Sequence, residues 1–276
     1  MCFLLRRLTI NVCACIIYTV EIENLRRLSM PRFFISPDDV KGNRIILTGD
    51  DALHVSRSLR MRPGEKLTVC DGMGTDYLCR TENFSSNDVT LCVEHSEPSR
   101  GEPPYAITVY QALVKGDKFD TVVQKSVECG ADRIVPFYSR NCVVKPSDGE
   151  EHRRERRERI AASAAMQSGR GRIPAVGECI DFDTMLSDAA LRGPVLFCYE
   201  GEGTRPVREL FSALAAKRET FDGISVVVGP EGGFTTDEAE RALRAGHLMA
   251  GLGPRILRTE TAAGFALACI YFAFEE

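Results

Sequence analysis

Two turns stripped of side chains, VVVGPEGGF at 226–234 and GLGPRILRTETA at 251–262, constrain this 276-residue chain more than any other feature. In the first, a run of valines suited to a buried strand ends in three glycines and a proline within five positions. Glycine has no Cβ, so the backbone can approach another surface closely, and three glycines exceed what a strand-to-helix turn needs. In the second, Arg258, Thr259, Glu260 and Thr261 gather where a helix should begin. Free N–H groups and the helix dipole favour acidic or anionic partners there. A plainer reading makes Thr259 or Thr261 an N-cap and Glu260 a first-turn carboxylate. Both turns follow expected strands, and open α/β sheets bind ligands at the C-terminal ends of their strands.

The region around these turns alternates between periods of two and 3.6, which predicts a mostly parallel sheet with helices on both faces. Strands are expected at 106–111, 133–137, 195–199, 224–228 and 248–252. Asp117 can cap a helix that buries Phe119, Val122, Val123 and Val127 and stops at Gly130. Further helices are expected at 206–218, at 236–245 behind a capping box of Thr235 and Glu238, and at 259–274. The GEGTRP segment at 201–206 imitates a dinucleotide fingerprint, but Pro206 replaces the third glycine that would let helix and strand pack closely. It reads as a loop entering a helix.

Before residue 97 the pattern is different. Short β-type runs at 32–35, 45–47, 66–70, 77–81 and 89–93 surround DGMG at 71–74, a strong turn signal. Asp50 or Asp51 could cap one short helix carrying Leu53, His54 and Leu59. EPSRGEPP at 97–104 has three prolines and a glycine in eight positions. The expected organisation is a small β-barrel at 30–97, a linker at 98–105 and an α/β domain at 106–276. Residues 1–29 read as an extension upstream of a start at Met30, outside the fold. The apolar stretch 12–20 falls short of the roughly 20 residues a membrane span needs, and no small-residue cleavage pattern follows, although targeting or anchoring stays open.

Charge and cysteine content narrow the function. With a formal net charge of -4, no global field draws the chain to nucleic acid, so any RNA contact must be local. Seven arginines between 153 and 172 (153, 154, 156, 157, 159, 170, 172) offer such a patch. For 152–159 an exposed helix laced with Glu–Arg pairs is an equal reading. The eleven cysteines are scattered, and only Cys13 and Cys15 are close together. They read as reduced core thiols of a cytosolic protein, with no metal site expected.

GPEGGF followed some twenty residues later by LGPRILRTETA resembles the SPOUT-class methyltransferases, specifically the bacterial RsmE-type enzymes. MPRFF at 30–34 is similar to that family's start, QKSVE at 124–128 to its QKxxE helix, and QSGR at 167–170 with RIP at 172–174 to its QSGRxxxP segment. Three places depart from it: Met166 replaces an acidic residue, 161–165 lacks a glutamate, and SRNC at 139–142 only approximates an ERS-type segment.

The resemblance implies methylation of ring nitrogen 3 of a uridine in 16S ribosomal RNA, free or in the small ribosomal subunit. It also implies a homodimer, a cytoplasmic location and S-adenosylmethionine as cofactor. The implied fold is a C-terminal SPOUT-type α/β methyltransferase domain knotted as a trefoil, with an N-terminal PUA-like β-barrel. Such a knot is an exception to the rule that chains do not thread their own loops. The last helix (Ala262, Ala263, Phe265, Ala266, Leu267, Ile270, Tyr271) suits a dimer contact, or simply fills its own core.

Expected cofactor residues are Tyr199, Glu200 and Gly201 on a third wall, Gly229, Pro230, Glu231, Gly232 and Gly233, then Leu252, Gly253, Ile256, Leu257, Thr259 and Thr261. Arg258 is expected to stabilise a deprotonated uracil, with Glu260 as base or orienter. Arg32, Arg57, Arg60, Arg62, Arg140, Gln167, Arg170 and Arg172 are expected to contact RNA. Two rivals remain: a non-catalytic RNA-binding ribosome-assembly factor on the same fold, and a related SPOUT methyltransferase acting on a ribose 2′-hydroxyl or on transfer RNA.

Overall fold

A computed structural model describes residues 30–146 and 149–275. The expectations for 1–29 therefore lie outside the described residues. The described residues divide into two compact units, one ending at Ser99 and the other beginning at Arg100.

The first unit is a curled five-stranded sheet: β1 (Arg32–Phe34), β2 (Arg44–Thr48), β3 (Lys66–Cys70), β4 (Thr75–Phe84) and β5 (Asp88–Pro98), in the order β1-β3-β4-β5-β2. Alternation drives it: Ile45 and Leu47 are buried while Arg44, Ile46 and Thr48 face outward, so one side of the sheet closes over Phe33, Leu67, Val69 and Leu91. Each such side chain contributes about 1.5–3 kcal/mol by leaving water. The β3–β4 turn is held by Asp71, whose Oδ1 accepts from the Met73 and Thr75 amides, with Gly72 at φ 72° and Gly74 at φ 102°. A helical segment, α1 (Gly49–Leu53) continuing to Ser58, is present, but its N-cap is Thr48. Asp50 and Asp51 sit in its first turn instead, where carboxylates meet the positive end of the dipole.

The second unit is built on a parallel sheet of β6 (Ala106–Ala112), β7 (Arg133–Tyr138), β8 (Ala175–Val176), β9 (Ile180–Asp181), β10 (Val195–Cys198), β11 (Arg205–Pro206), β12 (Gly223–Val228) and β13 (Leu248–Gly251). Their order is β11-β13-β10-β12-β6-β7-β8, with β9 also on β7. The central strand β12 is buried at every position, as a parallel strand covered on both faces must be. The intervening helices are α2 (Lys118–Glu128), α3 (Glu150–Ser168), α4 (Phe182–Ala190), α5 (Val207–Ala215), α6 (Thr236–Arg244) and α7 (Thr259–Phe274).

Several elements differ from the periodicity reading. The helix expected at 206–218 ends at Ala215, with Pro206 as its N-cap. α4 was not anticipated, although Asp181 caps it by accepting from the Thr184 amide. α3 is longer than its arginine run and buries Arg157, Ala161, Ala164 and Ala165. Its arginines are laced into pairs, Arg153 with Glu150, Arg154 with Glu151 at 2.7 Å and Arg156 with Asp120 at 2.6 Å. Arg157 lies 4.0 Å over the Phe119 ring. The paired-helix reading therefore describes this segment.

Candidate active site

β13, β10 and β12 are neighbours in the sheet, so the turns that leave their C-terminal ends converge. Between them is a cavity of about 630 Å³, within the range of small-molecule sites. Its walls include Tyr199 and Glu200, then Gly229, Pro230, Glu231 and Gly233, then Leu252, Gly253, Ile256, Leu257, Arg258, Thr259 and Glu260. Gly201, Gly232 and Thr261 do not line it. Cys198, Thr204, Phe234 and Lys118 do, and no sequence signal pointed to them.

The GPEGGF turn is clamped from three sides. Asn141 Nδ2 donates to the carbonyls of Gly232 and Gly233 at 3.1 and 3.2 Å, and a Cβ on Gly232 would come within 3.1 Å of Asn141 Cβ. Glu231 accepts from Lys118 Nζ at 2.9 Å and from the Lys115 amide at 3.4 Å. Partial burial alone would raise the Glu231 carboxyl, but these donors outweigh it and hold the carboxyl below its ordinary range. Phe234 anchors the end of the turn, 4.3 Å from the Phe197 ring centroid and stacked at 6.3 Å on Phe137. Glu238 closes the capping box on Thr235 and also accepts from the Arg140 amide at 2.9 Å.

The second turn is joined to the first by one hydroxyl. Thr259 Oγ1 donates to the Gly229 carbonyl at 2.7 Å and accepts from Gln111 Nε2 at 2.8 Å. The N-cap reading of Thr259 or Thr261 is corrected accordingly: the N-cap of α7 is Arg258, with no side-chain capping bond. Arg258 is exposed, and among the described residues its guanidinium has no hydrogen-bond or ionic partner. Glu260 Oε2 is buried without a hydrogen-bond partner. A buried acceptor left unsatisfied is costly, so it marks a place for a donor brought by a ligand.

These features fit a compact polar ligand carrying S-adenosylmethionine's groups. Gly229, Gly233, Gly251 and Gly253 in the walls leave room for a flat base, and Glu260 offers an acceptor for an amino or hydroxyl group.

The expected RNA contacts separate into two classes. Arg57, Arg60 and Arg62 are exposed in the first unit, and Arg140, Gln167 and Arg172 are exposed in the second. Arg170 is a correction: it is buried, holds Glu102 with two hydrogen bonds, and donates to the Val127 and Ala131 carbonyls at 3.1 and 2.9 Å. With its donors committed inside the protein, it has none for a phosphate. Arg32 is similarly occupied, by both carboxylate oxygens of Asp76.

Known proteins share this arrangement. Residues 101–271 match the family model described as an RNA methyltransferase domain, and 47–90 match an RNA methyltransferase PUA domain. The chain is 33% identical over 231 residues to ribosomal RNA small subunit methyltransferase E of Bacillus subtilis, covering 83% of this chain and 90% of that one. It is 31% identical over 245 residues to the Mycobacterium bovis protein of the same name, covering 86% and 90%. The crystal structure of ribosomal RNA small subunit methyltransferase E from Neisseria gonorrhoeae bound to S-adenosyl methionine superposes with a TM-score of 0.77, at 31% identity over 89% of this chain and 98% of that one.

Proposed function

The chain belongs to the ribosomal RNA small subunit methyltransferase E family, and we propose that it transfers a methyl group from S-adenosylmethionine to ring nitrogen 3 of a uridine in 16S ribosomal RNA. The observation that carries this is the single cavity shared by the turns after β10, β12 and β13.

When bound, S-adenosylmethionine supplies an electrophilic methyl on a sulfonium. The residues that would hold it are Tyr199 and Glu200, Gly229, Pro230, Glu231 and Gly233, then Leu252, Gly253, Ile256, Leu257 and Thr259. Their task is positioning, which can contribute about 7–11 kcal/mol of a barrier. Arg258 stands at the cavity, its guanidinium unpaired among the described residues and placed to stabilise a uracil that has lost its imide proton, because a nearby positive charge lowers the pKa of an acid. Glu260 accepts that proton or orients the cofactor through its unpaired oxygen. A general base of this kind typically adds about 10²- to 10⁴-fold. The pocket therefore contributes more than any one acid or base.

The reacting nitrogen lies on the base-pairing edge of uracil, so the target is unpaired or flipped out. Arg57, Arg60 and Arg62 on the PUA-like unit and Arg140, Gln167 and Arg172 on the methyltransferase unit supply phosphate and base contacts. The path through the three turns forms a trefoil knot. The protein acts as a homodimer in the cytoplasm: α7 buries Ala262, Ala263, Ala266, Leu267 and Ile270 in its own unit and leaves Phe265, Tyr271 and Phe272 exposed for a second copy.

The test is to incubate the purified protein with S-adenosylmethionine and with either free 16S RNA or small subunits, then map modified nucleosides by mass spectrometry. One uridine methylated on its base is expected. A ribose methyl, a transfer RNA product or no product each overturns the assignment.

A further inference from the structure

Gln111 is the penultimate residue of β6, level with Val228, the residue before Gly229, and is fully buried. Its amide orientation is fixed by its surroundings: Nε2 lies 3.1 Å from the Ala112 carbonyl, which can only accept, so the nitrogen and not the oxygen faces this way. The same nitrogen donates to Thr259 Oγ1 at 2.8 Å. A hydroxyl has one proton. Because Gln111 fills an acceptor site on Thr259, the Thr259 proton is directed onto the Gly229 carbonyl, 2.7 Å away. The chain Gln111, Thr259, Gly229 thus joins the ends of two neighbouring strands to the start of α7 with a single sense of donation. Gln111 Oε1 has no hydrogen-bond partner, so among the described residues the amide acts here only as a donor, to Thr259 and to the Ala112 carbonyl.

We propose that Gln111, which does not line the cavity, is a positioning residue for methyl transfer: by setting the direction of the Thr259 hydroxyl it locks the two cofactor turns together before the ligand arrives. The proposal rests on the cofactor reading above. Its physical basis is preorganisation, since a turn already held in its bound shape loses less freedom when the ligand binds.

The test uses the whole protein. Calorimetry with S-adenosylmethionine is run on wild type, Gln111→Met, Thr259→Val and the double variant. Alongside, hydrogen exchange of peptides spanning 229–235 and 252–262 is followed without ligand. Gln111→Met should weaken binding about three- to tenfold, the weight of one neutral hydrogen bond, and have no further effect in the Thr259→Val background. Exchange in both peptides should rise in Gln111→Met. Gln111→Glu, whose carboxylate would take the Thr259 proton away from Gly229, should weaken binding more than Gln111→Met, and that excess should vanish with Thr259→Val. If Gln111→Glu does not fold, the Gln111→Met cycle still decides. Equal losses in both backgrounds, or unchanged binding and unchanged exchange in Gln111→Met, overturn the proposal. Absence of binding by wild type overturns the cofactor reading instead, and the exchange data then judge the locking of the turns alone.

Discussion

Thr259 and Gly229 are thirty positions apart in sequence, yet the hydroxyl of one donates to the carbonyl of the other at 2.7 Å. This bond makes one site of two turns. Gly229 also lies against Phe234, whose ring edge would be 2.9 Å from a Cβ at that position. Phe234 is itself packed on Phe197 and Phe137 and has little room to retreat. Overpacking of this kind costs about 1–3 kcal/mol. Gly229→Ala should therefore weaken S-adenosylmethionine binding at least tenfold by calorimetry, and an unchanged affinity would show that the turn is not a binding wall.

Arg258 is exposed and supports no other described side chain. Arg258→Ala should leave the fold and cofactor affinity intact while lowering turnover roughly 10²- to 10³-fold, as expected for loss of one group that stabilises developing negative charge. Single-turnover kinetics separate the two effects. Unchanged turnover would remove Arg258 from the mechanism.

Asn141 holds the carbonyls of Gly232 and Gly233 with one amide group. Asn141→Ala should loosen the turn and weaken cofactor binding about fivefold, since each neutral bond contributes about 1 kcal/mol. Asn141→Asp should be worse, because a carboxylate facing two carbonyls repels them. Affinities equal to wild type in both variants would contradict the clamp.

The glycine turns and the strands feeding them were legible because side-chain loss and apolar runs are local signals. The clamp was not: Asn141 and Gly232 are 91 positions apart, and nothing near Asn141 announces the pairing. Gln111 did carry a sign, an amide near the end of a largely apolar strand, but its meaning depends on Thr259. Among the arginines, Arg170 was misread because sequence shows charge and not burial. It stands beside the exposed Arg172 yet is held inside by Glu102. α4 was missed because nine residues, with only Phe182, Met185, Leu186 and Ala189 facing inward, give too short a helical period.

His247 gives a pH dependence. Burial beside Phe197 pushes its imidazole below the ordinary value of about 6.5. The folded state therefore binds fewer protons than the unfolded one between these values. The stability it contributes is full above about pH 6.5 and is lost as pH falls through the folded value, by up to about 1.4 kcal/mol per unit. His247→Phe should reduce the loss of stability between pH 7 and pH 5 in urea titrations. An identical loss in the variant would contradict this.

The most direct test of the shared cradle is a crystal structure of the protein with S-adenosylmethionine. The ligand should lie between 229–233 and 252–260, with a donor on Glu260 and its methyl facing the side of the cavity where Arg258 stands. A ligand bound elsewhere, or turns that separate to admit it with the Thr259 bond to Gly229 broken, would contradict the account.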